Sequence, residues 1–171
     1  TEIDTGLNWK AQEWFDENRI PQKAYNWTLS SAGLACIDST DGLLNQDKSG
    51  KGEVTIVHDP WRPCPSKGGH LSQKAGIVNR FEIDKRSDVA TFTSNEISET
   101  IQICGTPQLE INASSDQEQF DLFVSLSIID KESPGVIQLS TGVIRTRNNA
   151  EKSLKRFISL QPIFADIKTG S

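Results

Sequence analysis

From Trp27 onward, apolar and polar residues alternate in short runs that are bounded by Gly, Pro, Asn and Asp. The clearest run covers residues 122–129, in which the two leucines, Val124 and Ile128 fall on one face and the two serines on the other. A period of two residues is the signature of a half-buried β-strand. The pattern therefore predicts strands rather than helices for most of the chain.

The same alternation predicts two strands at 101–103 and 109–113, which the turn residues Gly105, Thr106 and Pro107 separate and which we expect to lie close in space. Further predicted strands cover residues 27–36, 53–58, 89–93, 136–147 and 154–160, with a β-bulge at Gly142 and a polar loop at 38–52. A short helix is predicted at 8–19. This succession of short strands and turns is typical of an all-β jelly-roll sandwich.

Composition narrows the class of protein. The chain has 171 residues, which fits one globular domain. Its formal net charge is -5 and no basic stripe is present, so nucleic acid is excluded as a partner. No apolar run approaches the roughly 20 residues that cross a bilayer, and no basic-then-apolar signal region precedes the first strand, so no membrane partner is predicted.

The three cysteines, Cys36, Cys64 and Cys104, are too few and too dispersed for a disulfide framework or a metal knuckle. We interpret them as reduced thiols of a cytoplasmic protein, although a bridge between two of them stays open. Reactive-thiol catalysis is disfavoured because no histidine stands in a partnering motif.

Catalytic and metal-binding patterns are missing from the sequence. No G-x-S-x-G turn occurs, and the two histidines, His58 and His70, have no nucleophile to serve, so no catalytic residue is predicted. His and Cys show no metal-ligand spacing, and the acidic loop that begins at Asp47 fails the calcium pattern because a lysine and a histidine occupy ligand positions. We therefore predict no metal and no cofactor.

The tryptophans leave a second class of function open. A carbohydrate-binding module would present two or three exposed aromatic side chains on one face. Equally, the four tryptophans can be core anchors of a domain of this size. They stand at Trp9, Trp14, Trp27 and Trp61.

The segment 58–69 is the most unusual in the chain. Its three prolines fix the backbone of a stiff extended loop, and Gly68-Gly69 permits backbone angles that other residues avoid. Three more segments follow in order, at 84–94, 101–130 and 139–147. The four read HDPWRPCPSKGG, DKRSDVATFTS, IQICGTPQLEINASSDQEQFDLFVSLSIID and LSTGVIRTR.

Together these motifs resemble the C-terminal domain of CocE/NonD serine hydrolases over residues 25–171. That family includes X-prolyl dipeptidyl-peptidases, bacterial cocaine esterase and α-amino acid ester hydrolases. The resemblance implies a galactose-binding-like jelly roll that packs beside an α/β-hydrolase domain, and the catalytic triad of that domain is not in this chain. It also implies that Gly69, His70, Leu71 and Ser72 wall part of the substrate pocket, with Leu71 as an apolar wall and Ser72 in place of an aromatic residue.

Three charged residues match polar positions of the same family. We expect Arg86, Asp88 and Asp121 to tie strands and loops together through charged hydrogen bonds, in a structural role. By contrast, the family's glycine-aspartate-glutamine element is altered here at 76–80, and no contact is carried over to it.

The resemblance also suggests a domain organisation. Residues 1–25 are interpreted as a connecting segment from the preceding hydrolase region, and 26–171 as a jelly roll that is incomplete at its C-terminus, so that the fold is truncated at both ends. A truncated jelly roll leaves an exposed strand edge, which predicts self-association.

The function implied by the resemblance is that of a non-catalytic domain. It would buttress the hydrolase and cap regions of its own parent chain and wall part of their substrate pocket, while the parent hydrolyses an ester or amide, X-Pro peptides included, through an acyl-enzyme. The alternatives are a stand-alone carbohydrate-binding module and an oligomerisation domain, since fold alone does not fix function.

Overall fold

In a computed structural model, residues 24–46, 50–69, 72–73, 75–129, 135–147 and 149–171 are described. They form strands β1 (Thr28–Ser30), β2 (Leu43–Asn45), β3 (Ile101–Gly105), β4 (Gln108–Ala113), β5 (Phe120–Ile129), β6 (Val136–Thr146), β7 (Leu154–Ser159) and β8 (Ile163–Ile167). A single helical turn, α1 (Phe81–Asp84), lies between β2 and β3. The described chain is thus nearly all β, which confirms the predicted fold class.

Six of the strands pair in a nested order. β5 pairs with β6, β4 with β7 and β3 with β8, each time antiparallel. Along the chain, β4 and β7 flank the β5–β6 pair, and β3 and β8 flank all four of these strands. A long hairpin that is folded back on itself gives this order, and it is the strand order of a jelly roll. β1 and β2 form a fourth antiparallel pair.

The sequence alternation matches burial in these pairs. Along β4, Leu109, Ile111 and Ala113 are half-buried, whereas Glu110 and the other intervening residues are exposed. Two of the buried apolar residues, Ile158 and Leu160, lie in and just after β7. These side chains hold the nested pairs together by burial of apolar surface.

The predicted β-bulge lies at another residue. Val124 pairs with Gly142 in regular register, and the register shifts only beyond Leu126, where Leu139 has no opposite residue. The bulge therefore lies at Leu139, and the prediction of Gly142 was wrong. The extra residue shifts the alternation of faces along β6 by one position. Gln138 and Thr141 therefore lie on the same face of β6, although they are three positions apart.

Gly142 has a different role, which is the close approach of β6 to the end of β7. A Cβ atom at this position would lie 2.6 Å from the carbonyl oxygen of Ser159 and 3.1 Å from the Cα atom of Leu160. Next to it, the Ser140 hydroxyl donates a hydrogen bond to the carbonyl oxygen of Gln161 at 2.6 Å. The two strand pairs can meet here because residue 142 has no side chain.

Other strand predictions are corrected by pairing. Residues 53–58 are largely exposed and form no strand, because their β-branched side chains have no pleated surface to pack on. The segment 89–93 contributes only a parallel bridge between Leu43 and Thr93. The predicted strand at 27–36 shortens to β1, and the sequence reading missed β2 and β8.

The remaining expectations concern the partners of β3 and β4, the N-terminal helix, membrane-spanning helices and self-association. β3 and β4 pair with different partners rather than with each other. The predicted helix at 8–19 lies outside the described residues, as does nearly all of the segment 1–25. Within the described ranges, no helix has the length and apolar character needed to cross a membrane. Self-association through a strand edge stays a prediction.

The Gly142→Ala variant tests the contact between the nested pairs. Because a methyl group at 142 meets the backbone of β7 at 2.6 Å, the strands must move apart. We expect a loss of about 1–3 kcal/mol in the free energy of unfolding, measured by urea denaturation. Val143→Ala, at the neighbouring half-exposed position, serves as the control and costs less than about 1 kcal/mol. Equal stability of Gly142→Ala and the unchanged chain would contradict the role of this contact.

Candidate functional site

The proline-rich segment 58–69 begins with a tight turn. The backbone N–H of Arg62 donates to the carbonyl oxygen of Asp59 at 3.0 Å, and the N–H of Trp61 donates to the Asp59 carboxylate at 2.9 Å. Pro60 occupies the second position of this turn, where its fixed φ is favourable. Trp61 therefore lies at the tip of a turn whose backbone is fixed by Pro60 and by the two hydrogen bonds to Asp59.

Arg86 fastens this turn to the body of the domain. Its guanidinium makes two hydrogen bonds to the Asp88 carboxylate, at 2.7 and 2.6 Å, and a third to the carbonyl oxygen of Arg62 at 2.6 Å. The hydrogen bonds from Arg86 lower the pKa of Asp88, which stays ionised. The fork orients the Arg86 guanidinium within the segment 84–94, and its hydrogen bond to the Arg62 carbonyl oxygen joins the turn to that segment.

Asp121 acts in the same way on the strands. Its carboxylate accepts two hydrogen bonds from Arg145, at 2.8 and 2.6 Å, across the β5–β6 pair. The side-chain hydrogen bonds lower the pKa of Asp121. The prediction that Arg86, Asp88 and Asp121 tie strands and loops together is confirmed.

The two glycines at the end of the segment form a corner against the β5–β6 pair. Gly68 and Gly69 both have a φ of 64°, which favours glycine. Gly69 exchanges two backbone hydrogen bonds with Gly76, at 2.8 and 3.1 Å. A Cβ atom would lie 2.5 Å from the Val78 side chain at the first position and 2.7 Å from the Thr141 hydroxyl oxygen at the second. Both glycines are therefore required by backbone angle and by space.

Beneath this corner lies a group of polar side chains that we call the Arg80 cluster, defined as Arg80, Asp84, Ser125 and Gln138. Arg80 and Gln138 are only 6% and 2% exposed. The Arg80 guanidinium donates to the Gln138 amide oxygen at 3.0 Å and to Asp84 at 3.3 Å, and the Ser125 hydroxyl also donates to the amide oxygen at 3.4 Å. The buried charge of Arg80 is thus matched by acceptors on α1 and β6.

The backbone holds the cluster in register. The N–H of Arg80 donates to the carbonyl oxygen of Val136 at 2.7 Å, and the N–H of Gln138 donates to that of Val78 at 3.0 Å. Burial raises the pKa of Asp84, while the charge of Arg80 opposes that rise. The Gln138 amide nitrogen faces the glycine corner, since it would lie 2.9 Å from a Cβ atom at Gly68. The cluster therefore supports the corner from below.

A small cavity opens beside the cluster. It has a volume of about 170 Å³ and is lined by Cys64, Pro65, Ser66, Arg80 and Phe123. Pockets that enclose a drug-sized ligand are typically about 300–1,000 Å³. The cavity is therefore too small to enclose a peptide.

The histidine and the acidic side chains of the described ranges form no metal or catalytic group. His58 lies in the exposed stretch before the turn. No three His, Cys, Asp or Glu side chains within those ranges lie together in a group that could hold a metal ion. The Asp41 carboxylate accepts hydrogen bonds from the Ser31 hydroxyl and from the N–H groups of Ala32 and Leu34, so it closes its own loop. Those hydrogen bonds lower the pKa of Asp41.

The predicted site residues can now be placed. Gly69 is half-buried against Thr141, and Ser72 is half-buried three residues further on. His70 and Leu71 lie outside the described residues. The sequence reading missed Arg80 and Gln138, although a glutamine among the apolar residues of a predicted strand is a signal for a buried polar partner.

The part of the chain that forms the nested strand pairs and the glycine corner matches one sequence family. Residues 3–171 match the family described as the X-Pro dipeptidyl-peptidase C-terminal non-catalytic domain. This chain belongs to that family. The match confirms the resemblance to the C-terminal domain of CocE/NonD hydrolases. A search of curated proteins finds no match to the chain.

In this non-catalytic domain, Gln138→Leu tests the support of the corner. The variant keeps the volume of residue 138 but removes the acceptor of the buried Arg80 guanidinium, so we expect a loss of about 1–3 kcal/mol in the free energy of unfolding. Gln108→Leu, at an exposed position of β4, is the control and changes stability by less than about 0.5 kcal/mol. The support role fails if both variants unfold at the same urea concentration.

Asp88→Asn tests the charged fork through its pH dependence. A carboxylate with a lowered pKa adds stability above its ordinary range and loses that contribution as the pH falls through the lowered value. We therefore expect the variant to be about 1–2 kcal/mol less stable at neutral pH, and the difference to narrow by about pH 3. Urea unfolding at both pH values measures this, with the exposed Asp116→Asn as control. A difference that does not change with pH would contradict the fork.

Proposed function

We propose that this domain walls part of the substrate pocket of a CocE/NonD-type serine hydrolase, in which the catalytic residues belong to another part of the protein. The wall is the short stretch Gly69, His70, Leu71 and Ser72. The observation that carries the proposal is the glycine corner, which is fixed at Gly69 by paired backbone hydrogen bonds to Gly76 and by contact with Thr141. Gly69, the first residue of the stretch, therefore has a fixed position on the domain.

Rigid placement matters because a pocket wall acts through position. A side chain held in place before the substrate arrives binds it without a further loss of conformational entropy. In the proposed role Leu71 gives an apolar surface, and Ser72 adds a smaller polar one. The domain contributes binding and exclusion of water, while the nucleophile, base and oxyanion donors come from the catalytic part.

The proposed reaction is the hydrolysis of an ester or amide, with X-Pro peptides as the first substrate class. The X-Pro class is supported by the family, which is that of the X-Pro dipeptidyl-peptidase C-terminal domain. A cytoplasmic location belongs to the same proposal and is supported by the free thiols of Cys36, Cys64 and Cys104. Burial raises the pKa of the Cys36 and Cys64 thiols, which disfavours their use as nucleophiles.

A carbohydrate-binding module is the second candidate, and one observation favours it. Trp61 is 93% exposed, as a sugar-stacking side chain would be. Trp27 and Tyr25 are half-buried, so among the described aromatic residues of these two types Trp61 stands by itself. A flat platform usually needs more than one such ring, and we therefore place this function second.

Leu71→Ala in the full-length protein tests the pocket wall. Removal of an apolar contact to the substrate should lower kcat/KM for X-Pro substrates by about tenfold, mostly through a higher KM. The measurement is steady-state hydrolysis of a series of X-Pro amides that differ in the X side chain, together with simple esters. The effect should vary with the size of the group that reaches the wall.

The matched control is Leu34→Ala, which removes a half-exposed leucine from a loop distant in sequence. Its kcat and KM should equal those of the unchanged protein. Identical kinetics of the two variants on every substrate would contradict the proposed wall. A fall in kcat alone, with KM unchanged, would also contradict it, because that result indicates a role in chemistry rather than in binding.

A further inference from the structure

The most exposed large apolar side chain of the described residues stands on the proline-rich loop. Trp61 is 93% exposed, and Val57, four residues before it, is 74% exposed. A tryptophan left almost wholly in water is unfavourable for an isolated domain, because burial of an aromatic ring is a large source of stability. Its presence at a turn therefore calls for a partner surface.

The turn at 59–62 holds the backbone of Trp61 in one place. Asp59 accepts hydrogen bonds from the N–H groups of both Trp61 and Arg62. Arg86 then binds the Arg62 carbonyl oxygen and is itself held by Asp88. Tryptophan is the residue type most enriched among the few that carry the binding energy of protein interfaces, and preorganisation lowers the cost of binding.

We propose that Trp61 is the anchor by which this domain docks on the catalytic domain of its own protein. The family description of a C-terminal, non-catalytic domain of a peptidase supports that occupant, since a non-catalytic domain of a peptidase shares its protein with a catalytic part. The inference rests on the proposed function in one respect, which is that a catalytic domain shares the protein.

Chain length places the anchor next to the proposed pocket wall. Gly69 lies eight positions after Trp61, and an extended chain spans at most about 28 Å over that length. A wall that lines a pocket of the catalytic domain must itself touch that domain. The loop that leads to the wall therefore lies within reach of the same surface, and Trp61 is the apolar side chain most available to bind it.

Hydroxyl-radical footprinting of the full-length protein tests the docking directly. In the native protein without substrate, we expect Trp61 to be oxidised at least about tenfold more slowly than in the urea-unfolded protein, because a docked anchor is shielded from water. Mass spectrometry of the peptide that contains residues 50–69 reads the rate. Oxidation of Trp61 at the same rate in both states would overturn the proposal.

A variant adds an independent measurement. Trp61→Ala removes a side chain that the domain itself barely contacts, so a fall of a few degrees in the melting temperature of the full-length protein must come from contacts outside this domain. Phe157→Ala, at a 63% exposed position of β7, is the control and leaves the melting temperature unchanged. An unchanged melting temperature of Trp61→Ala would overturn the proposal.

Two further outcomes would assign the ring to another partner. Protection of Trp61 that appears only when oligosaccharide is added would overturn docking in favour of sugar binding. Protection that rises with protein concentration, together with a dimer in light scattering, would overturn it in favour of a second copy of this chain. Neither measurement involves substrate, so failure of the docking anchor and failure of the Leu71 wall are separately visible.

Discussion

The placement of the proline-rich loop depends on the contact of the Gly68–Gly69 corner with β6. The backbone reaches the side chains of Gln138 and Thr141 more closely than any residue with a Cβ atom allows. Both glycines also take a backbone angle that is costly for other residues. Because two independent constraints meet at the corner, the loop ends at a fixed point on the β5–β6 pair, and Arg86 fixes its beginning.

Charged hydrogen bonds distribute this rigidity through the domain. The fork between Arg145 and Asp121 is exposed, so geometry rather than net energy is its main contribution, whereas the Arg86 and Asp88 side chains are only 25% and 9% exposed. Arg80 differs because it is buried. Removal of an acceptor leaves the Arg80 guanidinium with fewer hydrogen-bond partners at a position that solvent hardly reaches. A buried polar cluster of this kind is costly if half satisfied, and it specifies one arrangement of the segments that meet over it.

A domain without catalytic groups can still determine which substrate an enzyme accepts. Selectivity depends on differences in binding, and an apolar wall can favour one substrate over another without touching the bond that breaks. The fold suits the proposed role because the Gly68–Gly69 corner rests on the β5–β6 pair. If both proposals hold, the loop between the turn at 59–62 and the glycine corner connects the docking surface at Trp61 to the pocket wall that begins at Gly69.

The sequence by itself determined the class of fold and the family. Alternation of apolar and polar residues identified β4 and β5 as strands, and burial follows that alternation along β4 and the first half of β5. In the second half of β5, Ser125 and Ser127 are half-buried as well. The sequence also singled out the loop 58–69, since proline and glycine restrict or free the backbone wherever they stand.

Only the tertiary structure decided which strands pair and which polar residues meet. The nested order joins β3 to β8, whose residues lie more than fifty positions apart in the chain, and local pattern carries no record of such a partner. The bulge at Leu139 rather than Gly142, and the burial of Arg80 on Gln138, likewise arise from contacts between distant segments. Alternation reveals that a face is buried, whereas packing alone determines what covers it.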